Sequence, residues 1–174
     1  MGPIIIDVEA SGFGRGSYPV EVGVAMSDGD THCMIIRPQP DWVHWDTSAE
    51  ALHGISREVL FTHGREVVEV AESLNQWLGG HIVYSDAWGN DSTWLALLFE
   101  YAAIPQQFQL ESLRFLMTEE QANCWHAVKD QVISDMGYTR HRASQDALIL
   151  QQTFIRTATI GSTEDGSRYP QSGL

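Results

Sequence analysis

The stretch Ile4-Ile5-Ile6-Asp7-Val8-Glu9 constrains the fold more than any other part of the chain. Three β-branched residues in a row favour extended backbone, and a short apolar run without alternation suits a strand covered on both faces. Two carboxylates, Asp7 and Glu9, stand where that strand, read as Ile4–Asp7, runs out. If extended geometry continues through Glu9, both side chains point to one face, because strand side chains alternate. Carboxylates held close raise each other's pKa unless a cation lies between them. Mg2+ and Mn2+ take oxygen ligands and suit that place. If the strand stops at Asp7, both acids are simply solvated.

The remaining pattern is α/β. Pro19–Met26 alternates, with Val20, Val22, Val24 and Met26 on one face, and the turn Ser27-Asp28-Gly29-Asp30 predicts a hairpin to Thr31–Arg37. Pro38 and Pro40 close that strand, and residues 41–64 read as short helices and loops. Val67–Leu78 has helical apolar spacing and is stopped by Gly79-Gly80. His81–Ser85 reads as a fourth strand. Asn90 or Asp91 caps a predicted helix that runs towards Pro105. Phe108–Leu116 fits no single element, while Thr118 and Gln121 form a capping box for a helix to about Met136, ended by Gly137. A last helix covers Ser144–Thr159. Residues 1–160 therefore read as one domain and 161–174 as a flexible tail. Sites in such sheets gather at the carboxyl ends of strands, which is where Asp7 and Glu9 fall.

The formal charge of −13, with Lys129 and nine arginines on the basic side, argues against a broad electrostatic grip on long duplex nucleic acid. Acidity also serves solubility, and bound metals reverse the charge locally. No apolar run reaches the roughly 20 residues of a membrane span, and the N-terminus has the marks of neither a signal peptide nor a myristoylation site. Cys33 and Cys124 lack metal-ligand spacing and read as reduced thiols of a cytoplasmic protein, with a single disulfide as the alternative.

Further acids gather around the same point. Asp86 and Asp91 follow the fourth strand, and Asp91 is either a helix cap or a carboxylate beside the sheet. His141 precedes Asp146 by five positions at the start of the last helix, and the apolar Leu148, Ile149 and Leu150 require that helix to pack.

Taken in order, "IIIDVEASGFG", "HGISREVL", "DSTWL" and "HRASQDA" resemble the motifs of the DEDDh-type 3′→5′ exonucleases. That family includes the DNA polymerase III proofreading subunit, oligoribonuclease and ribonuclease T. The resemblance spans about residues 4–158. It implies a ribonuclease H-like mixed β-sheet flanked by helices, with two divalent cations, Mg2+ or Mn2+. By motif match Asp7, Glu9, Asp91 and Asp146 would be the metal-binding acids and His141 the general base. Two metals roughly 3.5–4 Å apart activate the attacking water and stabilise the leaving oxygen of a phosphodiester, and a histidine takes the water's proton near neutral pH. The middle motif departs from the family pattern: Ala87 and Asn90 stand where Asn and an aromatic are common, and Asp86 is a rival to Asp91. Trp88 is either a stacking residue or ordinary packing.

The resemblance also places Ala10, Ser11, Gly12 and Phe13 at the 3′-terminal nucleotide, with His53 on the substrate side. Phe13 would stack on a base or simply pack, and Arg140 and Arg142 flank His141 as loop arginines. The implied activity is release of nucleoside 5′-monophosphates from single-stranded or short DNA or RNA with a free 3′ end, by a free-standing enzyme. The alternatives are a catalytically inactive binding module and an endonuclease of the same fold. Trp42 and Trp45 read as exposed, either at a homodimer surface or in a substrate groove.

Overall fold

In the computed structural model, which describes residues 1–137 and 141–164 with side chains through 159, strand β1 (Ile5–Ala10) runs through both acids instead of stopping before them. Its neighbour β2 (Pro19–Ala25) holds it extended by antiparallel pairing, with Asp7 opposite Gly23 and Glu9 opposite Glu21. β3 (Thr31–Ile35) adds antiparallel to β2, completing the expected hairpin. On the other side β4 (Ile82–Ser85) and β5 (Gln109–Ser112) are parallel. The mixed sheet has the order β3-β2-β1-β4-β5.

Helices cover both faces. α1 (Thr47–His53) and α2 (Arg57–His63) form the short-helix region, and α3 (Val67–Leu78) matches its apolar spacing. α3 packs with α4 (Trp88–Ala102) over Ile4, Ile6 and Val8. On the opposite face Ile5 meets Trp125 of α5 (Glu119–Met136) and Ala147 and Leu150 of α6 (Ala143–Glu164). Burial on both sides explains the unbroken isoleucine run, and each large side chain so buried contributes roughly 1.5–3 kcal/mol. It also accounts for β2, buried at every position although its valines alternate: Val20, Val22 and Val24 join one core, while α6 lies over Glu21, Gly23 and Ala25.

Several expectations change. α4 begins at Trp88, so neither Asn90 nor Asp91 is its cap; both lie in its first turn. Phe108–Leu116 splits into β5 and a 3₁₀ turn, Leu113–Leu116. The last helix continues to Glu164, past the expected start of the tail, and residues 165–174 lie outside the described part. Trp42 is buried, and it and the half-buried Trp45 pack around Tyr18 with ring centroids 5.1 and 6.4 Å away. Those contacts commit Trp42 to the core and leave Trp45 partly covered. Cys33 and Cys124 are free thiols. Among the described residues no helix is long and apolar enough to cross a membrane.

Candidate active site

A cleft of about 440 Å³ opens at the carboxyl end of β1. Asp7, Glu9, Asp86, Asp91, His141 and Asp146 all line it. β1 presents Asp7 and Glu9 on the face opposite Val8, and the first turns of α4 and α6 bring Asp91 and Asp146. Residues far apart in the chain thus meet because two helices start at one strand end.

The carboxylates press on one another. Asp7 is held well above the ordinary carboxyl pKa, first by burial and then by the charges of Asp91, Glu9, Asp146 and Asp86, in falling order. Asp91 is 1% exposed. Burial pushes its carboxyl up to about 7, opposed by a hydrogen bond that the Ser85 hydroxyl donates and reinforced by Asp86 and Glu9. Ser85 Oγ also accepts from the Ala87 backbone N–H at 3.0 Å, which fixes its orientation. Of the two rivals, Asp91 exerts the larger effect on Asp7, whereas Asp86 is exposed and pairs with Lys129 at 3.5 Å.

His141 stands beside Glu9 and Asp146. Ligand-capable atoms of Glu9, His141 and Asp146 lie within 4.8 Å of one another. The backbone N–H of His141 donates to Asp146 Oδ2 at 2.9 Å. His141 has φ of 67°, a left-handed conformation that costs a non-glycine residue about 1–3 kcal/mol. What holds it there follows directly in the chain: Arg142 and Ala143 are bound by Glu21 of β2. Arg142 is therefore committed to Glu21, while Arg140 lies outside the described residues.

This donor set fits divalent cations. Glu9, His141 and Asp146 offer ligand atoms close together, and the buried Asp7 and Asp91 line the same cleft; after burial, it is the charges of neighbouring carboxylates that raise the Asp7 pKa, a repulsion that a bound cation would relieve.

Apolar side chains also wall the cleft, Ala49 and Leu52 of α1, Trp94 of α4 and Phe13, beside the polar Asp46, Ser48, Asn90 and Lys129. Phe13 is 72% exposed and tilts against Trp94 with ring centroids 6.0 Å apart. Ala10, Gly12 and His53 also line the cleft. Gly12 has φ of 139°, and a Cβ there would lie 2.7 Å from Asp46 Cβ and 2.8 Å from His44 Cε1. A side chain would push the β1 exit away from the α1 cap. His53 Nδ1 accepts from the Ile55 N–H at 3.1 Å, and burial lowers the pKa of its ring.

Ser11 is not brought to the cleft. Its hydroxyl accepts from the Tyr18 N–H at 3.1 Å and bonds His44 Nδ1 at 3.0 Å, closing the loop after β1. Trp88 likewise stays off the lining, its indole N–H donated to the Leu110 carbonyl at 3.1 Å. Sequence reasoning missed the parts played here by Ser85, Glu21 and Lys129. The Val-Glu-Val alternation of β2 was a usable signal for Glu21: a charge within a strand that must be covered on both faces needs a partner.

The order of strands, the helices on both faces and the acids at the central strand's end define a ribonuclease H-like α/β domain. No family model and no curated protein matches the sequence. Among solved structures the chain resembles E. coli Exonuclease I in complex with a dA16 oligonucleotide, with a TM-score of 0.66 and 11% identity over 91% of this chain and 41% of that one. A zinc-ion-bound form of the E. coli enzyme with single-stranded DNA gives 0.61 and 13% over 95% and 41%. Exonuclease I from the moderately thermophilic Methylocaldum szegediense gives 0.62 and 12% over 95% and 41%. At such identities the likeness establishes the fold. The chain spans about two fifths of the length of these structures.

Proposed function

We propose that the chain is a metal-dependent 3′→5′ exonuclease acting on single-stranded nucleic acid in the cytoplasm. The observation that carries this reading is the convergence of Asp7, Glu9, Asp91, Asp146 and His141 on one cleft of about 440 Å³ that Phe13, Leu52 and Trp94 also line. The neighbours' complexes with oligonucleotides support the substrate class.

Asp7, Glu9, Asp91 and Asp146 would hold the cations. When bound, divalent cations supply charge stabilisation for the attacking and leaving oxygens of a phosphodiester. The remaining work falls to the chain's own residues. The apolar side chains in the wall, Phe13, Leu52 and Trp94, receive the terminal nucleoside. His53 donates from its Nε2, because Nδ1 is occupied as an acceptor. His141 accepts the proton of the attacking water through its ring, while Asp146 and the Glu21–Arg142 contact keep the histidine at the cleft. Asp91 is favoured over Asp86 as the third acid because it is buried beside Asp7 and Ser85 orients it.

The test uses 5′-labelled single-stranded DNA and RNA of matched sequence in Mg2+ or Mn2+, with EDTA, Asp7→Ala and His141→Ala controls. A ladder shortening from the 3′ end and lost in every control is the expected result. Cutting of circular single strands would make the protein an endonuclease. Intact products with retained oligonucleotide binding would make it a binding module.

A further inference from the structure

Beside the acidic cleft lies a second depression of about 330 Å³, between the 3₁₀ turn and α5. Asp86 and Lys129 line both cavities, so the two adjoin at that ion pair. We propose that this depression is the track for the nucleotides upstream of the scissile bond, with Arg114 and Lys129 as its phosphate contacts. The inference rests on the exonuclease reading and extends it to residues that no motif marks.

The layout of the cleft motivates the direction. Phe13, Leu52 and Trp94 in its wall take the terminal nucleoside, and the scissile phosphodiester then sits over the acids. Asp86 follows β4 and the 3₁₀ turn follows β5, so the second depression lies on the β4–β5 side of β1, and the strand continues there past Asp86 and Lys129.

Charge supports the same assignment. In a chain of net charge −13, a polyanion must be met by local cations. Arg37, Arg142 and Arg156 are paired with Glu66, Glu21 and Asp135. Arg57 is spent on the Trp42 carbonyl. Arg15, Arg65 and Arg114 are exposed and make no ion pair among the described residues, and of these three Arg114, on the 3₁₀ turn, is the one that lines the depression. Lys129, the only lysine, is held by one 3.5 Å contact to a carboxylate that is 38% exposed, a partner readily exchanged for a phosphate oxygen. His126 and Lys129 fall on the same face of α5, three residues apart, above Met117 and Trp125. An imidazole and an apolar floor suit ribose and base surfaces, which a sequence-tolerant track must accept. Glu119 also lines the depression, so the track is a narrow line of positive charge and not a broad patch.

The experiment measures anisotropy of 5′-fluorescein oligothymidylates of two and twelve nucleotides in Ca2+ over a range of salt. It compares the wild type, Arg114→Gln, the Arg114→Gln/Lys129→Gln double variant and Arg156→Gln as a charge-matched control, all checked by melting temperature. The wild type is expected to bind the 12-mer much more tightly than the dinucleotide. In the double variant that advantage falls about tenfold, and the slope of log affinity against log salt drops by about 1.4, or about 0.7 per cation removed from a single strand. Arg156→Gln keeps both. If the double variant fails to fold, the exposed Arg114→Gln carries the test with half the slope change. An unchanged length advantage and slope in variants of a wild type that shortens strands overturns the track alone. A wild type that neither binds the 12-mer nor shortens it overturns the exonuclease reading as well.

Discussion

The buried carboxylate of Glu21 receives Arg142 Nη2 at 2.7 Å and Nε at 3.1 Å, and the Ala143 backbone N–H at 2.9 Å. The residues bearing those donors directly follow His141. A strand residue thereby ties down the loop that carries the proposed base. Glu21 lies opposite Glu9 in the β1–β2 register, so one pair of neighbouring strands positions both the acid and, through Arg142 and Ala143, the histidine beside it.

Glu21→Gln keeps the shape and loses the charge. We expect kcat to fall on the order of 10- to 100-fold, with KM changed far less, because a small displacement of His141 costs chemistry more than binding. Arg142 is 45% exposed and recovers solvation, so the stability loss should stay near 1–3 kcal/mol. Steady-state kinetics beside denaturant melts would check this. A parallel fall in kcat and folded fraction would reduce Glu21 to a structural residue.

Gly23 sits where α6 meets β2, and a Cβ there would overlap the backbone N of Ser144 and the carbonyl carbon of Ala143. Backbone atoms cannot rotate aside as a flexible side chain can. Gly23→Ala should therefore destabilise by about 1–3 kcal/mol or more and displace the His141 loop. A shift of the urea midpoint together with lost activity is the expected outcome; an unchanged midpoint would refute the packing argument.

The acidic cluster makes metal-free stability fall as pH rises. Asp7 and Asp91 have raised pKa values in the folded protein. Their favourable state is fully present below the unfolded value, 3.8, and is lost as pH climbs through about 7 for Asp91. His53, with a lowered pKa, acts in the opposite sense on the acid side. In EDTA at about pH 8 we expect Asp7→Asn to melt higher than the wild type, and Mn2+ to raise the wild type but not the variant to the same degree. Melting curves with and without metal at about pH 5.5 and pH 8 would decide it. Equal metal effects at both values would argue against coupling between cation and cluster.

Ser85 donates to Asp91 and is itself oriented by the Ala87 N–H. Ser85→Ala removes the hydrogen bond that holds the Asp91 pKa down against burial. The apparent Mn2+ requirement for activity should rise about 10- to 100-fold, with most of the rate restored at saturating metal. A metal titration of initial rates would show this, and an unmoved midpoint would sever Ser85 from the site.

The positions of most elements were legible in local patterns. Val67–Leu78 follows from helical spacing with a glycine stop, and the Thr118–Gln121 capping box marks the start of α5. These signals are carried by neighbours in the chain, and so are the acids of the D-x-E and H-x4-D motifs. Tertiary structure decided what no local pattern holds. β1 extends through Glu9 because β2 pairs with it, and Asp91 turns from a helix cap into a buried carboxylate because α4 starts at Trp88, beside Ser85. Ser11, adjacent to the acid motif, was drawn instead into closing its own loop with Tyr18 and His44. Glu21 gained its role when α6 was laid on Gly23, bringing Arg142 from the far end of the domain. Sequence determined the covalent order and the periodicity that buries apolar area. Only the folded sheet brought distant charged groups close enough to change each other's pKa and to bound a cleft, because Coulomb interactions and excluded volume depend on distance in space, not along the chain.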